Sequence, residues 1–548
     1  MSTPAPDSFT AEERTLLSRY FTNLDGPVFA LINLPEVVKG ALFARYSRSP
    51  KSLRRLFLDE FVDELDVSGD TTLDATVGLK RAEQLYARVF NEYGDDSVAQ
   101  LGGVHLACEQ ASNVLTKILE RGRLMSYLEQ STRYIPYDLR LESGHYRYVR
   151  EPAILDSPFG ARYVGEMDRM FDTYGELLPK LQKFLHERSP APAGVSAMAH
   201  RQAVRAASLD ALRGLLPAGS ISNVGIYGTG QSYELLLLRM RSHSLPEAQR
   251  YADLMLEELR KVIPSFLTRV DKAERGGAWS EYLRSTEDAA NEVVRGFWPV
   301  RAPHPGARVT LTDFDQAGED KVLAAICYTH TNLPEAELLR RVRKLSAEQR
   351  ASLLAAYVGT RGNRRHRPGR AFERTDYRFD VVADYGAFRD LQRHRLLSID
   401  WQPLGTDLGY EVPELVEEAG LQDAYTESLD RSRALHDGLV KYFPEMCGYA
   451  VALAYNIRFT MQMNAREAMH ILELRSSSQG HPAYRKVVQE MHRLIAEQAG
   501  HHTIAGAMSY VEHGDVELGR LEAEQRAQAR SGLKAVSTGR SRGRSRSS

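Results

Sequence analysis

An internal repeat limits the folds that this chain can adopt. Three pairs of similar segments occur in the same order in the two halves of the sequence. The pairs are the segments that begin at Ala41 and Ala324, the segments RGRLMS (121–126) and RHRLLS (393–398), and the segments that end at Arg239 (GTGQSYELLLLR) and Arg475 (NAREAMHILELR). Three matches in a shared order indicate two homologous units, each of domain size, within one chain.

The second pair includes a segment that is rich in arginine and serine. Residues 121–134 (RGRLMSYLEQSTRY) follow a run that we read as helical, VHLACEQASNVLTKILE. Arginine offers a planar, permanently charged fork that can hold a phosphate or carboxylate at two points. Serine hydroxyls add donors and acceptors. The segment therefore predicts an anion-binding site at a helix end, and the alternative interpretation is a solvated, salt-bridged surface turn.

The chain is 548 residues long, which is more than one hydrophobic core usually serves. We predict an N-terminal extension, a first unit, a linker, a second unit and a polar, basic tail. Their predicted bounds are 1–34, 35–275, 276–318, 319–515 and 516–548. The tail is glycine-rich and arginine-rich, so we expect disorder from about residue 531, because such a composition buries little apolar surface.

Hydrophobic periodicity predicts a mixed fold within each unit. LPEAQRYADLMLEELRKVIPSFLTRV has apolar residues at helical spacing and a proline near its start. TDYRFDVVADYGAFRDLQRHR begins with the alternation of a strand and continues with a helical period. We therefore predict the α+β class, with a helix-covered sheet in each of two tandem units.

Bulk composition excludes several classes of protein. The formal net charge of -1 gives no overall field that would attract nucleic acid, and no stretch approaches the roughly 20 apolar residues of a membrane span. The three cysteines, Cys108, Cys327 and Cys447, are far apart and predict no disulfide framework. We expect a cytoplasmic protein that neither enters membranes nor binds nucleic acid.

Residues 121–134 resemble the signature R-H-R-x-x-S-x-N-E-x-S-x-R-Y of the flavin-dependent thymidylate synthases. The residues that match it are Arg121, Arg123, Ser126, Glu129, Ser131, Arg133 and Tyr134. The chain departs at Gly122, where the family has histidine, and at Leu128, where it has asparagine. The resemblance covers roughly 35–266 and 319–500. It implies a pseudo-dimer of thymidylate-synthase-complementing units in one chain, and a homodimer equivalent to the family's tetramer.

The resemblance also implies a reaction. In this family dUMP is converted to dTMP by reductive methylation, with methylenetetrahydrofolate as methylene donor and NADPH as reductant, and reduced FAD supplies the hydride. The protein positions the reactants and stabilises charge, while the cofactor carries the redox chemistry. A protein nucleophile is not required, and we expect no metal site.

The first unit matches the nucleotide-binding positions of the family. The implied dUMP contacts are Glu129, Ser131, Arg133 and Arg213. Arg239 matches an arginine that favours ionisation of uracil N3, because a nearby cation lowers the pKa of such a group. Other residues stand at the family's flavin-contacting positions, namely Gly228, Gly230 and Glu234. The resemblance therefore implies that this unit holds dUMP.

The second unit matches the flavin-binding positions instead. The implied FAD contacts are Arg393, His394, Arg395, Asn464, Arg466 and His470, of which Arg393 also contacts dUMP. Arg475 matches the catalytic arginine, and Phe372 and Glu373 match an F-E pair near the flavin. The dUMP-binding E-x-S-x-R is replaced in this unit, whose residues there include Asp400, Trp401, Pro403 and Gly405.

Two hypotheses follow from these complementary losses. The first is an active enzyme with a composite site between the two units, to which the first contributes mainly dUMP contacts and the second mainly FAD contacts. The alternative is a degenerate, non-catalytic homologue that binds nucleotide or flavin as a sensor or scaffold.

The basic segment 359–370 (GTRGNRRHRPGR) also has two interpretations, a phosphate-binding loop or a flexible solvated loop.

Overall fold

The computed structural model describes residues 8–34, 36–46, 48–60, 103–191, 196–298 and 306–514. The predicted tail, 516–548, lies outside these ranges, so its expected disorder stays a prediction. In chain order the helices and strands are α1 Ala11–Leu17, β1 Val28–Leu31, α2 Glu36–Tyr46, α3 Leu53–Glu60, β2 Gly103–Ser112, α4 Asn113–Leu119, β3 Ser126–Glu129, α5 Pro152–Leu155, α6 Gly160–Arg188, α7 Ala197–Leu212, β4 Ile221–Thr229, α8 Gly230–Ser242, α9 Pro246–Arg260, α10 Ala278–Phe297, β5 Val309–Phe314, α11 Gly318–Tyr328, α12 Glu335–Val342, α13 Ala347–Val358, β6 Asp376–Asp384, α14 Tyr385–Leu391, β7 Leu397–Trp401, α15 Glu414–Glu418, α16 Gln422–Tyr442, β8 Asn456–Asn464, α17 Ala465–Arg475, α18 Pro482–Glu497 and α19 His502–Ala507.

The residue contacts divide the chain into two compact units, and each unit is assembled from three separate segments. Unit 1 consists of Met1–Gly175, Leu215–Pro303 and Thr426–Ala452, and unit 2 consists of Glu176–Gly214, His304–Tyr425 and Leu453–Ser548. Unit 2 therefore contains a segment from the first sequence repeat, and unit 1 contains one from the second. The predicted bounds 35–275 and 319–515 describe the repeats in sequence and stay a prediction.

The two units contain sheets of the same topology. The strand order is β1-β2-β4-β3 in unit 1 and β5-β6-β8-β7 in unit 2, and every neighbouring pair is antiparallel. Helix α9 packs on β1 and β2, and α18 packs on β5 and β6. The residues of β8 alternate between buried and partly exposed, which is the pattern of a strand with one covered face. The prediction of an α+β fold with two tandem, helix-covered sheets is confirmed.

Strand register fixes which residues of the two repeats are structurally equivalent. Ser126 lies opposite Tyr227 in unit 1, and Ser398 lies opposite Gln462 in unit 2. The two serines are already paired by the repeat RGRLMS and RHRLLS. Tyr227 is therefore equivalent to Gln462, and counting two residues onward makes the two strand ends, at 229 and 464, equivalent.

The helix caps support this register. Thr229 caps α8 by accepting a hydrogen bond from the N–H of Ser232, and Asn464 caps α17 in the same way. The sequence match pairs Arg475 directly with Arg239. The strand register instead places Arg475 one residue further along its helix than Arg239. On a helix one residue corresponds to a rotation of about 100°. The side chains of the two arginines therefore leave their helices in different directions.

Several local predictions can be compared with the structure. The helix within LPEAQRYADLMLEELRKVIPSFLTRV is confirmed as α9, and the passage from strand to helix is confirmed as β6 and α14. The helical reading of VHLACEQASNVLTKILE is wrong for its first part, which forms β2. Helix α4 begins after Ser112, whose hydroxyl accepts from the N–H of Leu115. Successive residues of this strand, Leu106–Glu109, are all buried, so both of its faces are covered there and no simple alternation appears.

The predicted linker, 276–318, contains regular structure. Helix α10 occupies 20 residues of it, and β5 follows. Helix α10 is amphipathic, so this part of the predicted linker has the apolar periodicity of a packed helix. Across the described ranges, neither α10 nor any other helix combines the length and apolar character that a membrane span requires.

Candidate functional site

Residues from two predicted motifs meet in unit 2. The Nε–H of Arg475, at the end of α17, donates a hydrogen bond to Nε2 of His394 at 3.0 Å. Nδ1 of His394 lies 3.5 Å from Oε1 of Glu467. Nδ1 of His470 lies 3.4 Å from the same oxygen. The R-H-R motif before β7 and the motif on α17 are therefore joined by one chain of polar contacts, which we call the Arg–His–Glu–His chain.

Electrostatics fix the protonation of this chain. Burial, opposed by the Glu467 carboxylate and assisted by Arg475, lowers the pKa of His394 to about 4. Burial alone would raise the pKa of Glu467, but its contacts with His394 and His470 outweigh burial and lower that pKa to about 2. His394 is therefore neutral near pH 7 and Glu467 is ionised. Because Arg475 donates to Nε2, the proton of His394 lies on Nδ1 and faces Glu467.

Arg213 joins this group within unit 2. Its Nη1 lies 3.3 Å from Oδ2 of Asp390, and Nη1 of Arg475 lies 3.7 Å from the other oxygen of that carboxylate. Arg213 is 4% exposed. Its Nη2 is 3.9 Å from Asp384 and makes no hydrogen bond to any described residue. A buried guanidinium nitrogen without a hydrogen bond is suited to binding a phosphate or another anion.

The predicted flavin contacts occupy the same region of unit 2. Nε of Arg466 donates to the carbonyl oxygen of Pro368 at 3.0 Å, and its Nη1 lies 3.4 Å from Glu373, the acidic residue of the F-E pair. The oxygen of the Asn464 side chain accepts from the N–H of Glu467 and caps α17. Arg393 and Arg395 are exposed. Guanidinium and imidazole donors fit the phosphates of a dinucleotide such as FAD.

The predicted nucleotide contacts of unit 1 are arranged differently. Glu129 is 2% exposed, and its carboxylate lies 3.2 Å from the ammonium of Lys117. The hydroxyl of Ser131 accepts from the N–H of Arg133 at 3.2 Å. Glu129 is therefore held in a buried ion pair, and Arg213, which the sequence grouped with it, belongs to unit 2.

Arg239 lies beside another arginine of the signature. Burial and the positive charge of Arg121 lower the pKa of Arg239. Like charges repel, so the positive charge of Arg121 disfavours the charged form of Arg239. Arg239 and Arg121 therefore form a second positively charged group, which lies in unit 1.

Glu467 is the residue at this site that the sequence reading missed. It lies on the first turn of α17, three residues before His470, so the two side chains share a face. His394, Glu467 and His470 also have the spacing of metal ligands, with one ligand atom of each within 4.8 Å of the others. A cation there would have to replace the Nδ1 proton of His394, which Arg475 holds in place by donating to Nε2. The arrangement therefore favours a hydrogen-bonded chain.

The reading of 359–370 as a flexible solvated loop is wrong for Arg361. Its side chain is 4% exposed, and its Nη1 and Nη2 each lie 2.6 Å from an oxygen of Glu473. Nη1 also donates to the carbonyl oxygen of Ala507 at 2.9 Å. Arg361 therefore anchors this segment to α17.

The protonation of His394 predicts that acid destabilises the protein. The pKa of an unfolded histidine is 6.5 and that of folded His394 is about 4, so its contribution is present above pH 6.5 and is lost as pH falls toward 4. This window corresponds to roughly 3 kcal/mol of unfolding free energy. We expect urea unfolding at a series of pH values to give a weaker pH dependence for His394→Asn than for the unsubstituted protein. Parallel pH profiles for the two proteins would contradict the assignment.

Two antiparallel sheets of one topology, with an arginine-rich site at the end of the last strand of unit 2, characterise a protein built from two repeated units. The chain matches the family described as "Thymidylate synthase complementing protein" over residues 42–265 and 311–499. These segments cover both repeats, so the chain belongs to this family. The family is that of the flavin-dependent thymidylate synthases, and the resemblance inferred from residues 121–134 is confirmed.

Relatives match the chain along almost its whole length. A UPF0159 protein of Chlamydia muridarum is 37% identical over 525 residues, which cover 95% of this chain and 99% of the relative. A UPF0159 protein of Thermoplasma acidophilum is 31% identical over 521 residues, which cover 90% of this chain and 99% of the relative. Among solved structures, the UMP/dUMP methylase PolB from Streptomyces cacaoi, bound with 5-Br dUMP, matches with a TM-score of 0.31 and 17% identity, over 38% of this chain and 96% of that one.

Proposed function

We propose that the protein is an FAD-dependent thymidylate synthase that converts dUMP to dTMP with methylenetetrahydrofolate and NADPH. The observation that carries this proposal is the Arg–His–Glu–His chain, which joins the R-H-R motif to the motif on α17. Membership of the thymidylate synthase complementing family supports it. The presence of Arg213 in the same unit supports it further, because a buried guanidinium with an unused nitrogen suits a nucleotide phosphate.

The proposed roles follow the chemistry of each group. The proposed dUMP contacts are Arg213 and Arg393 in unit 2 and Glu129, Ser131 and Arg133 in unit 1. The proposed FAD contacts are Arg393, His394, Arg395, Asn464, Arg466 and His470. FAD, when bound, supplies the hydride transfer that no amino acid side chain performs. We propose in addition a cytoplasmic location and a homodimer.

Arg475 is proposed to stabilise the developing negative charge of the uracil ring. Its guanidinium is largely buried, where a charge acts more strongly than in water. His394 and Asp390 hold it from two sides and fix its direction. Glu467 in turn orients the two imidazoles, so the proton of His394 stays on Nδ1, where it faces the carboxylate. Arg239 is proposed to perform the equivalent task in unit 1.

A direct assay tests this proposal. Purified protein supplied with dUMP, methylenetetrahydrofolate, NADPH and FAD should form dTMP, and the isolated protein should be yellow and release FAD on denaturation. Protein that cannot be loaded with FAD would exclude the proposal. The alternative, a non-catalytic homologue, is favoured by one observation, the buried ion pair of Glu129 with Lys117. It predicts nucleotide binding without turnover.

A pair of substitutions separates the two ligands. Arg466→Ala should weaken FAD binding about tenfold to a hundredfold, because a charge-assisted contact is worth about 1.5–3 kcal/mol, and should leave dUMP affinity unchanged. Arg133→Ala should do the reverse. Flavin fluorescence quenching and calorimetric titration with dUMP measure the two affinities. Unchanged dUMP affinity in Arg133→Ala would remove unit 1 from the nucleotide site.

A further inference from the structure

Helix α10 presents an apolar surface that the rest of the described chain leaves exposed. The large apolar side chains on it and directly after it, with their exposed fractions, are Trp279 46%, Tyr282 62%, Val293 56%, Val294 47%, Phe297 68% and Trp298 68%. Every residue from 284 to 298 is exposed. The first half of the helix is held to α8, where Ser280 donates to the carbonyl oxygen of Leu238 and Arg284 donates to that of Arg241.

Among the residues that the structure describes, none gives the second half of α10 the packing that usually stabilises a helix. Helices in proteins are held mainly by burial of an apolar face, and isolated helices of fewer than about 15 residues are marginal in water. The stripe on α10 continues at helical spacing to Phe297, although the contacts with α8 end near Arg284. The sequence therefore provides an apolar face along a length of helix that another surface must cover.

We propose that this face binds α10 of a second copy of the chain, in an antiparallel pair about a two-fold axis near Asp288. With such an axis, two residues face each other when their numbers add up to 576. The facing pairs along the stripe are Trp279 with Phe297, Leu283 with Val293, and Thr286 with Ala290. Large side chains therefore meet large ones toward both ends, and small side chains meet at the centre, where the helices come closest. A two-fold interface requires such self-complementarity.

The charges of the helix are compatible with this pairing. At about 100° per residue, the apolar stripe centres on the line that joins Trp279 to Phe297. The charged residues lie outside the stripe, most of them on the opposite side, and are Glu281, Arg284, Glu287, Asp288, Glu292 and Arg295. Pairing along the stripe therefore removes no charge at its centre from water, which would be costly.

The area is also sufficient for a specific contact. A buried aromatic side chain contributes about 150–250 Å², so the exposed fractions of Trp279, Tyr282 and Phe297, together with those of Val293 and Val294, amount to on the order of 500 Å² per copy. Two copies would bury about 1,000 Å², the lower limit for a stable interface. A single exposed patch of this size is at the upper end for a monomeric protein.

Sedimentation of the full-length chain tests the proposal. The unsubstituted protein should have twice the chain mass, and Val293→Glu combined with Phe297→Glu should raise the dissociation constant at least about a hundredfold, because each copy would bury two charges in the pair. Arg295→Glu makes the same net change of charge on the opposite face and should leave the dimer intact. An unsubstituted protein with the mass of one chain would overturn the proposal, as would a double variant that stays dimeric. The inference rests on the homodimer proposed above, but both readouts are independent of dTMP formation, so they test the interface separately from the proposed reaction.

Cross-linking tests the register and does not depend on the stability of the charged variant. Chains with Thr286→Cys mixed with chains with Ala290→Cys should form a mixed disulfide dimer on mild oxidation. Asp288→Cys, on the outer face, should not cross-link to either, and the unsubstituted chain controls for its own three cysteines. Failure of the 286–290 pair to cross-link in a dimeric sample would exclude this register. A segment of the same chain lying over α10 would leave the protein monomeric and would also overturn the proposal.

Discussion

Replacing Arg475 by alanine is expected to lower kcat/KM for dUMP methylation by at least about a hundredfold. This is the usual effect of removing one preorganised contact to a developing charge. Arg475 combines three contacts in one buried group, a hydrogen bond to His394, an ion pair with Asp390 and a position 5.5 Å from the centre of the Tyr484 ring. Alanine removes all three. Steady-state formation of dTMP measures the effect.

Two further variants identify the cause of that loss. Arg475→Lys retains a positive charge but cannot reproduce the guanidinium fork, so we expect partial activity. Arg239→Ala removes the arginine near the end of α8. According to the strand register, Arg239 lies one residue away from the position equivalent to Arg475. We expect the loss in Arg239→Ala to be at least about tenfold smaller, because a rotation of about 100° redirects the side chain. A larger loss in Arg239→Ala than in Arg475→Ala would make Arg239 the main catalytic arginine and would contradict this expectation.

Replacing Arg361 by methionine is expected to lower the free energy of unfolding by about 3–5 kcal/mol. The substitution leaves the carboxylate of Glu473, which is almost fully buried, without the two 2.6 Å contacts that compensate its charge. Removing one partner of a buried ion pair costs more than the pair contributes, because the remaining charge stays out of water. Urea unfolding followed by circular dichroism measures the change.

An exposed arginine of the same segment provides the matched control. Arg365→Met changes charge and size in the same way at an exposed position, and we expect its effect to stay within about 0.5 kcal/mol. Adding Glu473→Gln to Arg361→Met should recover part of the lost stability, since it removes the uncompensated charge. Equal effects of Arg361→Met and Arg365→Met would contradict the buried ion pair.

The spacing of apolar residues was sufficient to predict strands and helices that have one buried face and one exposed face. The segment from Asp376 to Leu391 alternates and then turns helical, and the structure has β6 and α14 there. The same method failed for β2, because this strand buries successive residues on both of its faces and has no period of two. The hydroxyl cap at Ser112 was the local signal for where the helix begins.

Groupings of site residues on one helix could be predicted from the sequence, whereas contacts between distant segments of the chain could not. Arg466 and His470 are four residues apart on α17, and residues at this spacing share a helix face. The partner of Arg475 is His394, 81 residues earlier, and it is brought there by the pairing of β7 with β8. Arg213 reaches Asp390 from 177 residues away. Such contacts depend on tertiary structure, which spacing in sequence does not specify.

The three-segment assembly of unit 1 has a consequence for synthesis on the ribosome. Its last segment, Thr426–Ala452, is translated more than a hundred residues after Pro303, which ends the preceding one. Within the unit, this late segment pairs Ala218 and Gly219 through backbone hydrogen bonds to Val451 and Tyr449. At elongation rates of about 5–20 residues per second, the nascent first unit waits several seconds for these partners. During that interval its unfinished surface is open to chaperones, so the order of segments along the gene sets how long the emerging polypeptide needs protection.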